Sequence, residues 1–274
     1  MKRKRGAAAK KGAARTPARG SSSRRTADMS VVVSCEHAGN FVAPEFFDRF
    51  SENSVDYGSC SEILCSHRGW DPGAIDLARP LAPALDAPLI VTVVSRLVVE
   101  VNRSLGHPRL FSEFMQGLSD AERELALSRY YYPHRGAVEA AVRDALTKNP
   151  RRDVLHLSVH TFTPVLDGEL RTADIGLLYD PARQRERAFC ERWQTEIKSL
   201  APDLRVRRNY PYLGTSDGLV TDLRHTLTTE RYIGVELEVN QKHYWDGTIE
   251  GLQSESWERM SGVVKESLKR AIGL

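Results

Sequence analysis

Two histidines stand where short apolar runs end. His37 follows Val31-Val32-Val33-Ser34-Cys35, a β-branched run that breaks into the turn Glu36-His37-Ala38-Gly39-Asn40. His160 closes Asp153-Val154-Leu155-His156-Leu157-Ser158-Val159-His160, in which alternation puts His156, Ser158 and His160 on one face. Both runs read as buried strands, and ligand sites in open α/β sheets lie outside the carboxyl ends of strands. A lone loop histidine ordinarily hydrogen-bonds a carbonyl, but two imidazoles leaving two strand ends can converge on one metal ion. A third run, Tyr232-Ile233-Gly234-Val235-Glu236-Leu237-Glu238-Val239-Asn240-Gln241, carries Glu236 and Glu238 on one face. Carboxylates in an apolar strand are costly unless paired, hydrogen-bonded or metal-bound. Burial raises their pKa toward the range of a general base or acid at neutrality. The alternative is an antiparallel edge strand with both glutamates in solvent.

Other residue types extend this chemistry. Arg96 and Arg103 bracket Leu97-Val98-Val99-Glu100-Val101-Asn102, a β-branched segment that reads as extended. Guanidinium forks suit carboxylates bidentately, which would explain recognition of an acidic substrate, although surface ion pairing is the commoner use of an arginine. Asp71 precedes Pro72 at the start of an apolar stripe, a common helix N-cap arrangement; whether its carboxylate also faces the site is open. Cys35 beside His37 admits a cysteine-nucleophile alternative, against the ordinary role of cysteine as a small buried residue.

The elements that must position these residues alternate strand and helix. Pro44 to Phe50 reads as a short helix with an early proline. Asp71 to Leu85 reads as a helix with Ile75, Leu77, Ala78, Leu81 and Leu85 as its stripe, and Pro88 to Val94 as the next strand. Ser119 to Leu146 reads as helical, with a Ser119/Glu122 capping box and an interruption near Pro133. Ile175 to Tyr179 reads as a strand and Gln184 to Leu200 as a helix. Asn209 to Leu219 is a loop rich in turn residues and aromatics, able to close over a substrate. This order predicts a single three-layer α/β domain, a mixed, mostly parallel sheet with helices on both faces.

Composition divides the chain at residue 27. Of 39 basic residues, 10 fall in residues 1–27, which hold no acid; the remainder carries 29 basic against 36 acidic residues, a net charge of −7. The first 27 residues lack large apolar side chains and read as a disordered basic tail. Its alternatives are a solvated extension, a transit peptide, or an arm that holds nucleic acid or an anionic membrane surface by charge. Residues 28–274, with 41% hydrophobic residues over the whole chain, can bury one substantial core. No apolar run reaches the ~18 residues needed to span a bilayer. Four cysteines without CxxC spacing read as reduced thiols. The expectation is a soluble, cytoplasmic protein.

Six stretches together carry a resemblance: Cys35-Glu36-His37-Ala38-Gly39-Asn40 with Pro44, Trp70-Asp71-Pro72-Gly73-Ala74, Ser95 to Arg103, Val159-His160-Thr161, Gly214-Thr215-Ser216-Asp217-Gly218, and Gly234 to Gln241. In this order, from about Val31 to Trp245, the chain resembles the N-formylglutamate amidohydrolase family. The resemblance implies a core like that of the zinc carboxypeptidases and a zinc-dependent amidohydrolase that cleaves N-formyl-L-glutamate to formate and glutamate, or acts on another N-acyl amino acid. It implies one zinc ion on His37 and His160 with Asp71 as a possible third ligand. Arg96, Asn102, Arg103, Thr215 and Asp217 would bind substrate, and Glu238 would be the water-activating base. Three departures stand out: Glu100 occupies a position where the family usually has Asp, Pro133-His134-Arg135 only loosely follows its Pro-Tyr-His pattern, and Asn40 replaces the carboxylate of the carboxypeptidase-type HxxE pair.

Overall fold

The computed structural model describes residues 29–51, 62–245 and 250–274, so the basic tail expected over residues 1–27 lies outside the described residues. In chain order the elements begin with strand β1 (Met29–Cys35), short helices α1 (Asp48–Ser51) and α2 (Glu62–Cys65), helix α3 (Ala74–Ala84) and strand β2 (Leu89–Val91). Helix α4 (Asp120–Ala126) runs through a π turn (Leu127–Tyr131) into α5 (Tyr132–Lys148). Then come β3 (Asp153–Phe162), the small hairpin β4 (Val165–Leu166) and β5 (Glu169–Leu170), β6 (Ile175–Leu178), α6 (Gln184–Leu200), β7 (Val206–Arg208), α7 (Leu219–Thr226), β8 (Tyr232–Asn240) and α8 (Glu255–Ala271).

Six strands form one sheet in the order β2-β1-β3-β8-β6-β7. All neighbours are parallel except β6 and β8, so β6 and β7 run against the other four. Alternation along the strands separates two environments. Odd positions of β1, β3 and β8, among them Val33, Leu157 and Leu237, join Leu77 of α3, Trp193 of α6 and Val264 of α8 in the main apolar core. On the other face Val32, Val154 and Tyr232 pack with Val138 and Val142 of α5 and Leu219 and Leu223 of α7. Helices thus cover both faces, and the three-layer, mostly parallel architecture is the one the strand and helix alternation implies. Trp193 is fully buried and satisfies its indole N–H by donating to Ser267 Oγ at 3.0 Å. Among the described residues no helix is long and apolar enough to cross a membrane.

Several local expectations are corrected. Ser95 to Arg103 is not a strand. It is a succession of turns, closed by Val98 N–H to Ser95 O (2.9 Å) and Arg103 N–H to Glu100 O (3.1 Å). The Ser95 hydroxyl competes for this backbone, accepting from Leu97 N–H and donating to Gly69 O. Helix α3 is capped at Gly73, at φ +83°, and not at Asp71; a Cβ at Gly73 would lie 2.6 Å from the Tyr244 ring. The second strand shrinks to three residues at the sheet edge. Cys65 is disulfide-bonded, against the reading of four reduced thiols, while Cys35 and Cys190 are free and buried. Pairing depends on three-dimensional proximity that a missing CxxC motif does not report. The capping box holds, with Ser119 and Glu122 bonded reciprocally, and the interruption expected near Pro133 is the π turn Leu127–Tyr131 just before it, which breaks the regular helical register.

Candidate active site

The parity that builds the core also builds the site. Ser34 and Glu36 of the first strand and its exit, Ser158 and His160 of β3, and Glu236 and Glu238 of β8 are even-numbered positions on the face opposite the main core. Register sets Ser158 beside Glu236 and His160 beside Glu238. Since β8 is a central strand, the edge-strand alternative fails, and Glu238 is 5% exposed.

Asp71 is brought to this face by a pinned turn. Its N–H donates to His37 O at 3.1 Å, while Thr161 Oγ1 and the Tyr244 hydroxyl both donate to Pro72 O, at 2.8 and 2.9 Å. Asp71 Oδ2 lies 3.1 Å from His37 Nδ1 and 2.9 Å from His160 Nδ1. One ligand-type atom from each of His37, Asp71 and His160 falls within 4.8 Å of the other two, and all three residues are buried. The sequence expectation for this trio is therefore matched by their placement.

The remaining ring nitrogens decide whether a cation fits. Ser158 Oγ donates to Glu36 Oε2 at 2.5 Å, so at its 2.8 Å contact with His160 Nε2 it accepts. Glu36 Oε2 itself lies 3.2 Å from that nitrogen. His37 Nε2 lies 2.6 Å from Glu100 Oε1. Both Nε2 atoms are thus hydrogen-bond donors, and a neutral imidazole then turns a lone pair at Nδ1 toward the Asp71 carboxylate. Protons on the rings satisfy these contacts as well: burial opposes charge on His160, yet its bonds to Asp71 and Glu36 raise its pKa well above the usual imidazole range. With both rings neutral, the three atoms are the donor set of a divalent-cation site. Burial alone would raise the Asp71 carboxyl, yet His37, His160 and Arg96 hold it well below the usual carboxylate range. Burial opposes ionisation of Glu100 as well, and Arg96 and His37 overcome it. Glu36, also opposed by burial, is held down by His134 and His160.

Glu238 behaves in the opposite way. Burial, reinforced by the charges of Asp71 and Glu236 against that of His160, pushes its pKa up to about 8. Its Oε2 is buried without a hydrogen-bond partner among the described residues. A buried carboxyl with an open oxygen and a pKa near neutrality is suited to accepting and returning a proton.

The residues expected on the substrate side are differently engaged. Arg96 pairs with Glu100 Oε2 through Nη2 at 2.5 Å and reaches Asp71 Oδ1 at 3.4 Å. Arg103 Nη1 donates to the carbonyls of Asn102 (3.1 Å) and Asp217 (2.5 Å). Asn102 Oδ1 accepts from Leu219 N–H at 2.7 Å, at the start of α7, and Asp217 Oδ2 accepts from Ser104 N–H at 3.0 Å. Thr215 is exposed in the same loop. These contacts clasp the Asn102–Ser104 turn to the 214–218 loop. Asn40, which replaces the HxxE carboxylate, donates to Leu64 O and is not part of the ligand cluster. Cys35 points into the main core on the other face, and burial pushes its thiol up, which removes the nucleophile alternative.

Residue-type reasoning passed over Glu36, Ser158 as a bridge, and Arg171. Glu36 shares parity with Val32 and Ser34, a signal present in the sequence; Arg171 has no such pattern around it. The Arg171 guanidinium lies over the Phe162 ring at 5.9 Å and the Tyr212 ring at 5.1 Å.

A single α/β domain with a buried His-Asp-His cluster and an unpartnered glutamate at its strand exits has the layout of a hydrolase. A family model described as N-formylglutamate amidohydrolase matches residues 29–245, most of the chain, and the protein belongs to that family. Among solved structures, gene product Atu2144 from Agrobacterium tumefaciens is 25% identical, with a TM-score of 0.68, covering 89% of this chain and 91% of its own. The N-formylglutamate amidohydrolase of Ralstonia eutropha JMP134 is 19% identical, with a TM-score of 0.64, 89% of this chain and 93% of that one aligning; it shares the fold. No curated protein matches the sequence.

Proposed function

We propose that this protein is a zinc-dependent amidohydrolase that removes the formyl group from an N-formyl acidic amino acid, with N-formyl-L-glutamate as substrate and formate and L-glutamate as products. The observation that carries the reading is that Asp71 Oδ2 lies 3.1 Å from His37 Nδ1 and 2.9 Å from His160 Nδ1, with Glu238, whose Oε2 is unpartnered among the described residues, paired in register with His160. His37, His160 and Asp71 would hold the ion. Bound zinc supplies Lewis acidity, making water more acidic and polarising a carbonyl. Glu238 takes the proton of the attacking water and delivers it to the departing amine nitrogen; its buried carboxyl, with Oε2 unpartnered among the described residues, is free for both transfers. Arg96, Arg103, Asn102, Thr215 and Asp217 form the substrate side, where Arg96 brings positive charge next to the cluster. Such local charge matters for an anionic substrate approaching a body of net charge −7.

The test joins elemental analysis to formate release. The purified protein should carry zinc and lose activity on chelation, and His37→Ala or His160→Ala should remove the metal. Glu238→Gln should keep it and lower kcat by about 10² to 10⁴. Near-normal turnover in Glu238→Gln, or full zinc occupancy in either histidine variant, would overturn the assignment.

A further inference from the structure

Among the described residues, several cations near the site are already matched. Arg68 pairs with Glu113, Arg96 with Glu100 and Asp71, and Lys242 with Asp174. Arg103 is directed at two backbone carbonyls. Arg171 has no carboxylate partner among the described residues, although it is partly withdrawn from solvent. A guanidinium set against two aromatic faces, with one hydrogen bond to the Tyr212 hydroxyl, keeps its remaining N–H donors for a ligand.

Its placement is fixed by the two strands that carry the chemistry. Phe162, one of the rings beneath it, is the last residue of β3, two beyond His160. The Arg171 carbonyl accepts from Asn240 Nδ2 at 3.0 Å, and Asn240 ends β8 two residues beyond Glu238. Its N–H donates to Pro164 O at 2.8 Å. The second ring, Tyr212, is tied electrostatically to the same centre: burial raises its pKa, and Glu238 raises it further. Arg171 therefore stands one step outward from both His160 and Glu238, whereas Arg96 touches the cluster itself. A scissile amide at the cluster puts the α-carboxylate close to it and a side-chain carboxylate several bonds farther out.

We propose that Arg171 pairs with the side-chain carboxylate of the N-acyl amino acid and sets the preference for acidic over neutral side chains. The assignment rests on the amidohydrolase reading above. It is tested by comparing wild type, Arg171→Gln and Arg171→Lys on N-formyl-L-glutamate and N-formyl-L-glutamine, with zinc content and melting temperature measured on each. Arg171→Gln should lower kcat/KM for the glutamate substrate by about 10- to 100-fold, mostly through KM, and change the glutamine substrate by less than about threefold. Arg171→Lys should recover part of the loss, since it restores charge without the fork. Equal effects on both substrates, or none, would overturn the proposal while wild-type turnover left the amidohydrolase reading intact. If wild type cleaves neither compound, that reading falls and takes this one with it.

Discussion

His156 is a histidine that the proposed reaction does not use, and its position makes it a reporter of folding. It is fully buried between Ser34 Oγ at 2.8 Å and the Tyr232 hydroxyl at 2.9 Å. Burial lowers its pKa to about 4. The unfolded chain, with an ordinary histidine near 6.5, therefore binds the proton first as pH falls. The contribution of His156 is complete above about pH 6.5 and is lost toward pH 4, on the order of 3 kcal/mol across the interval. Urea midpoints measured between pH 7 and 4 should fall less steeply in His156→Gln than in wild type; parallel profiles would mean that the ring is already protonated in the fold. At this scale the sequence was informative where parity was strict. Alternation grouped His160 with Ser158 and Glu238 with Glu236 on one face of each strand, and the strand register makes the two faces one. Asp71 was obscured by its resemblance to an N-cap, a role that Gly73 fills instead. Arg171 was illegible because its meaning lies in which neighbours lack partners, a property of the assembled mouth.

At the scale of elements, β6 shows how an absent side chain shapes the site. Gly176 stands opposite Glu238 in the antiparallel pair, and a Cβ there would collide with the Tyr210 carbonyl oxygen and lie 3.2 Å from Glu238 Cβ. The missing methyl lets the Tyr210–Leu213 loop press down over the catalytic strand. Gly176→Ala should destabilise the protein by about 1 to 3 kcal/mol and lower kcat as well, because either the loop or Glu238 must move. Chemical denaturation together with steady-state kinetics would check both, and an unchanged kcat would separate the loop from catalysis. The extended reading of Ser95 to Arg103 failed for a related reason. Its β-branched residues favour a strand, but the buried Glu100 is drawn to His37 and Arg96, and tertiary pairing overrides local propensity.

For the whole molecule, the layered class was legible because strands and helices alternate along the chain and the apolar positions of each have the right period. Strand order was not, since the reversal of β6 and β7 depends on contacts between distant segments that leave no local mark. The basic tail contributes ten positive charges to the chain, yet the folded body it precedes is acidic.

The central position of β3 and β8 has a consequence in time as well as in space. Their amides are bonded to neighbours on both sides within a six-stranded sheet and covered by helices above and below. Such protons exchange with solvent only when the entire domain opens, whereas turn amides exchange through small local fluctuations. His160 and Glu238 are mounted on the slow backbone, while Asn102, Arg103, Thr215 and Asp217 ride on turns and a loop. Deuterium uptake should therefore split the candidate site in two, with residues 154–162 and 232–240 protected to the global limit and residues 95–112 and 209–218 labelled much earlier. Uniform protection of all four segments would refute the division. On the proposed reading, the half that would handle protons keeps one geometry for the life of the fold, and the half that would meet the substrate is free to adjust on every encounter.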